Sequence, residues 1–342
     1  MDDKYSTLFA HKLYEKCRVD YAGRWKKMRL IDMHCDTILH FMNNENLHLQ
    51  RNELCIDIEK MRKANSMAQF FACFVNLRKF DEQSGYDKAY QYALEMITRG
   101  KKEIAANSKD ISLALTFNDL VENEKAGKMS AFLTVEEGGI IHNDMSRLEQ
   151  LYEEGVRLIT LTWNYENCIG FPNKLTGGLK PFGIEVVKRM NELGMLIDVS
   201  HLSDDGFWDV IKYSSKPIVA SHSNARALCN HPRNLTDDMI RALAENGGTA
   251  GLNLYPCFLK KLGKVSVSDM AEHIVHMYQV GGEDVIAIGT DFDGFDDGES
   301  EIVHMGQMNI LYDEIQKHGF SERQMEKFWN GNAMRVIKGV MR

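Results

Sequence analysis

Residues 29–37 read RLIDMHCDT and residues 194–203 read GMLIDVSHLS, and each stretch is an apolar run that ends on metal-binding residue types. In a strand, residues two apart point to the same face, so His34 and Asp36 can bind one ion. Ligands that are scattered over several strand ends, all on one rim, are typical of an enzyme site at the mouth of a barrel. They are not typical of a zinc finger, whose ligands are clustered and rich in cysteine.

Eight short apolar runs alternate with amphipathic, helix-like stretches along the chain. The runs lie at residues 29–34, 68–76, 129–135, 157–162, 195–200, 217–221, 248–253 and 284–289. Strand–helix alternation repeated eight times predicts a (β/α)8 TIM barrel. The alternative is an open doubly wound sheet, but its nucleotide-binding versions lose support because no G-x-G-x-x-G or P-loop motif follows any run. Residues 1–28 are polar with scattered aromatics and predict an N-terminal helical arm, which leaves residues 29–342 for the barrel.

The bulk composition excludes several classes of function. The chain has 342 residues, a net charge of −8 and a pI near 5.9, whereas nucleic-acid-binding proteins usually carry a basic patch. The sequence has no polybasic run and no stretch of 18 apolar residues, so we expect no membrane association. Its seven cysteines are odd in number and form no C-x-x-C pair, and the charged N-terminus lacks a secretory signal. We therefore expect a reduced, cytoplasmic protein.

Candidate metal ligands follow the predicted strands in a regular order. They are His34, Asp36, Glu137, His201 and His222. A lone histidine at a strand end is more often hydrogen-bonded than metal-bound, but the joint pattern on one rim favours ligands. Imidazole and carboxylate groups suit Zn²⁺, with Mn²⁺, iron or Co²⁺ as alternatives. Two ions that share one carboxylate would use all five groups, and a pair of ions roughly 3.5–4 Å apart can hold a bridging hydroxide.

The motifs around these residues resemble those of the renal (membrane) dipeptidase family, peptidase family M19, within the amidohydrolase superfamily. The motifs are IDMHCDT, VEEGG, IDVSHLS, ASHSNARALCNHPRN and IGTDFDG, in that order from about residue 29 to the C-terminus. The resemblance implies that His34 and Asp36 bind one zinc ion and that His201 and His222 bind a second. It implies that the carboxylate before Gly-Gly, Glu137, bridges them; the neighbouring Glu136 would point to the opposite strand face unless the strand is locally irregular.

The same resemblance implies roles for residues outside the ligand set. Asp291, which opens the DFDG motif, resembles the family's catalytic acid/base, which would hold the attacking hydroxide and carry a proton to the leaving amine. Arg233 in HPRN resembles the arginine that binds the terminal carboxylate of the substrate, a task that suits a planar two-donor group. Tyr255 in NLYP would add a second hydrogen bond to that carboxylate.

One position departs from the family pattern. Members close to the mammalian enzymes carry a histidine after Leu-Thr that is thought to stabilise the oxyanion, but here residues 161–167 read LTWNYEN. Trp163 therefore stands in that place, and an indole donates only one N–H and does not titrate. We expect either Asn164 to donate instead or the metal to polarise the carbonyl without help.

The resemblance thus implies a metallo-dipeptidase with two zinc ions per chain, acting on L,L-dipeptides and on dipeptides with a D-residue in second position. It also suggests a homodimer. One alternative is another amidohydrolase-type enzyme, acting on N-acyl amino acids or related amides; the H-x-D motif of the first run disfavours it, since many such enzymes have H-x-H. A second alternative is a catalytically silent barrel that serves in binding or assembly, which the complete ligand set and Asp291 disfavour. His273 and His276, spaced i, i+3 on a predicted helix, indicate a solvent-facing helix surface in preference to a third metal site.

Overall fold

The computed structural model describes residues 27–80, 85–295 and 300–341. Its nine parallel strands are β1 Leu30–Cys35, β2 Ser66–Phe74, β3 Ile111–Leu113, β4 Met129–Glu136, β5 Val156–Thr160, β6 Leu196–Asp198, β7 Val219–Ala220, β8 Thr249–Leu252 and β9 Ile286–Ile288. Each of the eight predicted runs overlaps one of these strands. The predicted N-terminal arm lies almost wholly in residues 1–26, outside the described residues.

Eight of the strands close into a barrel, which confirms the predicted (β/α)8 fold. The strand order is β2-β1-β9-β8-β7-β6-β5-β4, and β2 pairs with β4 from Ala68↔Ser130 to Phe74↔Glu136 to complete the circle. The short strand β3 was not predicted. It pairs with the start of β4 at Ile111↔Met129 and is an addition outside the closed barrel.

Helices connect successive strands and cover the barrel. The α-helices are Thr37–Asn43, Ile58–Lys63, Gly85–Ala106, Phe117–Lys125, Met145–Glu153, Pro181–Leu193, Asp204–Tyr213, Asp237–Glu245, Pro256–Leu259, Val267–Gly281, Met308–Gln316, Glu322–Glu326 and Asn332–Val340. Single turns of 3₁₀-helix occupy Leu77–Lys79, Gly138–Ile141 and Met305–Gln307, and Lys327–Gly331 forms a π-helical turn. Within the described residues, no helix combines the length and apolar character needed to cross a bilayer.

The core has two parts, as expected for a barrel that is filled inside and covered outside. The interior is apolar around Phe70 and Phe132, whose rings stack with centroids 4.6 Å apart, and includes Leu158, Leu196 and Val219. Residues of the C-terminal helix, Asn332–Val340, pack against this interior cluster, while a larger cluster lies between the strands and the surrounding helices. The apolar interior leaves the carboxyl ends of the strands as the place where polar side chains gather.

Candidate metal centre

Buried polar residues at the carboxyl ends of five barrel strands converge on one cluster. His34 is the penultimate residue of β1 and Asp36 directly follows that strand, Glu136 ends β4, and single residues lie two or three positions beyond β6, β7 and β9. These last three are His201, His222 and Asp291. Ligand-type atoms of the cluster lie within 4.8 Å of one another in three overlapping sets. The structure thus brings together four of the five predicted metal ligands and the predicted catalytic acid/base.

Glu136 joins two sets of groups through its two carboxylate oxygens. Its Oε1 lies 3.0 Å from His201 Nε2 and 3.7 Å from His222 Nε2, whereas its Oε2 lies 3.6 Å from His34 Nε2. His34 Nε2 in turn lies 3.5 Å from Asp36 Oδ2. The Glu136 carboxylate thus lies between two pairs of ligand-type groups, His201 with His222 and His34 with Asp36.

The prediction that Glu137 lies at the cluster is wrong, because the structure places Glu136 there. Glu136 is the last residue of β4 and pairs with both Phe74 and Thr160, so its side chain keeps the inward alternation of Phe132. Glu137 has a φ of 91°, in the left-handed region, and the chain there turns out of the strand into the 3₁₀ turn Gly138–Ile141. The Glu137 carboxylate consequently accepts hydrogen bonds from neighbouring loops and does not face the cluster.

Like Glu137, two residues that do belong to the cluster adopt left-handed backbone conformations. The φ angles of His201 and Asp291 are 68° and 62°. Such conformations cost free energy in non-glycine residues and concentrate at functional sites, where surrounding contacts hold them. At Asp291, the backbone N–H donates to the carbonyl of His34 (3.1 Å), and the side-chain amide of Asn253 donates to Oδ2 (2.8 Å). These contacts fix the carboxylate beside the first strand's ligands.

Hydrogen bonds behind two of the histidines determine which ring nitrogen faces the cluster. Ser221 Oγ donates to Asp198 Oδ2 (2.6 Å), so it accepts from His222 Nδ1–H (2.7 Å) and leaves the lone pair on Nε2. His201 Nδ1 lies 3.1 Å from Asn164 Oδ1, an acceptor, which likewise leaves the lone pair of His201 on Nε2. Both imidazoles are therefore held in the tautomer that a metal ligand requires.

Burial and mutual repulsion shift the pKa values of the cluster. Desolvation, together with nearby Asp36 and Glu136, raises the pKa of Asp291 to about 7 against the opposing effect of His34. Desolvation and Glu136 raise the pKa of Asp36 in the same way. Desolvation followed by the charge of Arg233 lowers the pKa of His201 to about 4, so this ring is neutral near pH 7.

These groups fit a bound cation. Within the described part of the chain, His34 Nδ1 and Nε2 and Asp36 Oδ1 are buried and have no hydrogen-bond partner. The Nε2 atoms of His201 and His222 lie 3.1 Å apart. Two nitrogens that each lie about 2.05 Å from one tetrahedral ion are about 3.3 Å apart, so the observed spacing suits two imidazoles that bind the same ion. A buried carboxylate oxygen and buried imidazole nitrogens without hydrogen-bond partners are costly, and a divalent cation would satisfy those that face the cluster.

The four predicted substrate-binding residues line a cavity of about 1000 Å³ that opens over the cluster. They are Arg233, Tyr255, Trp163 and Asn164. Arg233 is buried, and its Nη1 and Nη2 donate to Ser223 Oγ (3.3 Å) and the carbonyl of His222 (3.1 Å). The Tyr255 ring stacks on Phe295 at 5.1 Å. The Trp163 ring packs edge-on against Phe74 at 4.7 Å, and its centroid lies 6.3 Å from that of His201.

Sequence reasoning missed several residues of this site. Asn253, which orients Asp291, ends one of the predicted apolar runs, so its position at a strand end was an available signal. Lys174, His231 and Phe258 also line the cavity. Lys174 and His231 lie on irregular loops, and Phe258 lies on the four-residue helix Pro256–Leu259, which is too short to show a periodic pattern.

The predicted surface position of His273 is wrong. His273 is buried, where its Nδ1 accepts from the N–H of Ala225 (3.1 Å) and its Nε2 lies 3.0 Å from the carbonyl of Leu259. His276 is partly exposed and lies 2.8 Å from Asp237 Oδ1. Both histidines are structural, and neither belongs to a metal-type cluster within the described residues.

The chain is similar to known proteins over most of its length. Residues 24–342 match the family described as membrane dipeptidase (peptidase family M19). An uncharacterized dipeptidase of Schizosaccharomyces pombe is 30% identical over 296 residues, which cover 82% of this chain and 71% of that protein. An uncharacterized protein of Klebsiella pneumoniae from the pqqA 5′ region is 33% identical over 252 residues, or 70% of this chain and 93% of that protein. The crystal structure of dipeptidase AC, a family M19 metallopeptidase, has a TM-score of 0.85 and 25% identity, and covers 92% of this chain and 99% of that one.

Proposed function

Because the chain belongs to the membrane dipeptidase family and is a metallo-dipeptidase, we propose that it hydrolyses L,L- and L,D-dipeptides with two Zn²⁺ ions at this cluster. The observation that carries the proposal is the position of Glu136, whose two oxygens face two separate sets of ligand-type groups. One set is His201 with His222, and the other is His34 with Asp36. A zinc pair at such a site would supply a bridging hydroxide near neutral pH and polarise the scissile carbonyl.

Asp291 is the proposed acid/base of the reaction. Its Oδ1 lies 3.8 Å from His34 Nε2 at the edge of the cluster, and Asn253 holds its Oδ2. A carboxylate at this position lies within reach of the cluster and can accept a proton and then release it. We propose that Asp291 takes the proton of the attacking water and returns it to the departing amine nitrogen.

Arg233 is the proposed anchor for the free carboxylate of the substrate. Its guanidinium is buried in the cavity wall, and within the described chain its Nε has no hydrogen-bond partner. A carboxylate that docks here would be desolvated and would form charge-assisted hydrogen bonds. An anchor this close to the cluster favours dipeptides over longer peptides, and Tyr255 is proposed to add a hydrogen bond to the same carboxylate.

We propose that neither Trp163 nor Asn164 acts as a hydrogen-bond donor to the oxyanion, and that each has another role. The Trp163 ring lies among aromatic residues and is proposed to form an apolar wall of the substrate cavity. The Oδ1 of Asn164 is occupied by His201 Nδ1, so Asn164 is proposed to orient that ligand. Polarisation of the carbonyl is therefore left to the metal in this proposal.

The test is hydrolysis by zinc-reconstituted protein of a panel of L,L-dipeptides, L,D-dipeptides and N-acyl amino acids, with Asp291→Asn as the control. We expect turnover of dipeptides, little turnover of N-acyl amino acids, and loss of activity in Asp291→Asn. Preferential turnover of N-acyl amino acids would favour the alternative amide hydrolase. A zinc-loaded protein that is inactive on the whole panel would contradict the proposal.

We also propose a reducing, cytoplasmic location and a homodimeric state. Within the described residues, Cys35, Cys73, Cys168, Cys229 and Cys257 form no disulfide, which supports a reducing compartment. Fractionation of the source cells tests the location, and light scattering of the purified protein tests the dimer; a membrane-bound or monomeric protein would contradict the respective statement.

A further inference from the structure

The carboxylate of Glu137 is fully buried next to the metal cluster without facing it. Its Oε1 accepts hydrogen bonds from the N–H of Gly139 (2.9 Å) and from Asn167 Nδ2 (2.6 Å). Its Oε2 accepts from the N–H of Trp163 (3.2 Å). Gly139 follows in the turn after β4, whereas Trp163 and Asn167 lie on the loop after β5. One side chain therefore ties two loops of the barrel rim together.

The local structure is built around this contact. A Cβ on Gly139 would lie 2.5 Å from Glu137 Oε1, so only glycine leaves room for the carboxylate. The Asn167 side chain that donates to Glu137 also donates to the carbonyl of Leu161 (2.9 Å), and its Oδ1 accepts from the N–H of Ile169 (2.7 Å). The loop after β5 is thus folded onto Glu137 at several points.

The loop that Glu137 holds reaches the metal cluster through the next residue. The backbone N–H of Trp163 donates to Glu137. The next residue is Asn164, and its Oδ1 lies 3.1 Å from His201 Nδ1. On its other side, Glu137 directly follows Glu136, the carboxylate between the two ligand sets. Its left-handed φ of 91° turns the chain so that successive glutamates point in different directions.

We propose that Glu137 is a positioning residue that fixes the loop after β5 relative to Glu136 and thereby sets how His201 presents Nε2 to the cluster. The inference rests on the proposed function, because it assumes that His201 is a metal ligand. In this proposal, the second glutamate of the VEEGG motif neither binds the metal nor transfers a proton, but positions a loop.

The test is the affinity for Zn²⁺, measured by competition with a chromophoric chelator, in Glu137→Gln and Glu137→Gly. A glutamine can keep its oxygen towards Gly139 and Asn167, but its amide then faces the N–H of Trp163 and releases that loop. Glycine removes the side chain and adopts a φ of 91° freely, so this variant remains informative if Glu137→Gln fails to fold. Changes in groups that hold metal ligands weaken binding 10–100-fold, and we expect a loss of about tenfold in both variants.

Glu103→Gln is the matched control. Glu103 is also buried and accepts hydrogen bonds from the N–H of Leu49 (2.9 Å) and from His48, but it lies on the helix Gly85–Ala106, away from the cluster. We expect its zinc affinity to equal that of the wild type. Equal affinities in the wild type and both Glu137 variants, or an equal loss in Glu103→Gln, would overturn the proposal.

A double-mutant cycle with Asn164→Ala identifies the route of the effect. If Glu137 acts through Asn164, the loss caused by Glu137→Gln should shrink to less than about twofold in the Asn164→Ala background. Additive losses would overturn the proposed route. Turnover of L-alanyl-L-alanine by the wild type is recorded in parallel: its absence would contradict the proposed function, whereas the zinc titration would still decide the role of Glu137.

Discussion

Replacement of Ser221 by alanine should weaken zinc binding without unfolding the barrel. In the wild type, Ser221 Oγ accepts from His222 Nδ1 (2.7 Å) and donates to Asp198 Oδ2 (2.6 Å). The variant leaves Asp198 with donors from Thr160 Oγ1 (2.7 Å) and the N–H groups of Ser200 (3.0 Å) and Ser221 (2.8 Å). The ring Nδ1–H of His222, by contrast, loses its buried acceptor, so the tautomer and the orientation of this imidazole are no longer fixed.

The magnitude follows from this difference. Loss of a group that orients a metal-binding histidine costs 10–100-fold in metal affinity, or about 1.4–2.7 kcal/mol. Thr160→Val is the matched control, because Thr160 donates to the same Asp198 oxygen but does not touch His222. Competition with a chelator should show the full loss in Ser221→Ala and less than about threefold in Thr160→Val. Equal losses in the two variants would refute the argument that the hydrogen bond to His222 is responsible.

Three further outcomes are expected. Arg233→Lys should lower kcat/KM for dipeptides 10–100-fold, since each charge-assisted hydrogen bond contributes about 1.5–3 kcal/mol; it should leave hydrolysis of the matching dipeptide amides nearly unchanged, and an equal loss on both substrates would contradict the anchor role. Chelation should lower the free energy of unfolding, because zinc at 100 times its Kd stabilises the folded state by about 2.7 kcal/mol; unchanged urea denaturation on zinc removal would contradict a buried metal site. Desolvation lowers the pKa of His273 in the folded protein. As the pH falls below about 6.5, this imidazole is protonated in the unfolded chain while it is still neutral in the folded protein, so the folded state loses stability. His273→Gln should reduce that loss in chelator-treated protein, and an unchanged pH dependence would contradict this role of His273.

The fold was predictable because the barrel strands repeat one pattern. Each of the eight apolar runs overlaps one barrel strand, and the ligand-type residues at their ends share one rim. The strand Ile111–Leu113 was not predicted because three residues are too few to show a periodic pattern. Its pairing with Met129–Glu136 is a tertiary contact, which the local sequence does not encode.

The site was predictable in its membership and less so in its orientation. His34, Asp36, His201, His222 and Asp291 meet as expected. The choice between the two adjacent glutamates failed because it depends on which face of β4 points into the barrel: Glu136 shares the inward face with Phe132, whereas Glu137 turns out of the strand at a φ of 91°. His273 was misplaced for a related reason: helical spacing shows which residues share a face, but the loops that bury that face come from distant parts of the chain.

The most direct test of the central claim is the anomalous scattering of zinc in crystals of the zinc-loaded protein. The account predicts two peaks per chain, roughly 3.5–4 Å apart, on either side of the Glu136 carboxylate. One peak should adjoin His201 and His222, and the other should adjoin His34 and Asp36. A single peak, or peaks that adjoin Glu137 in place of Glu136, would contradict the account.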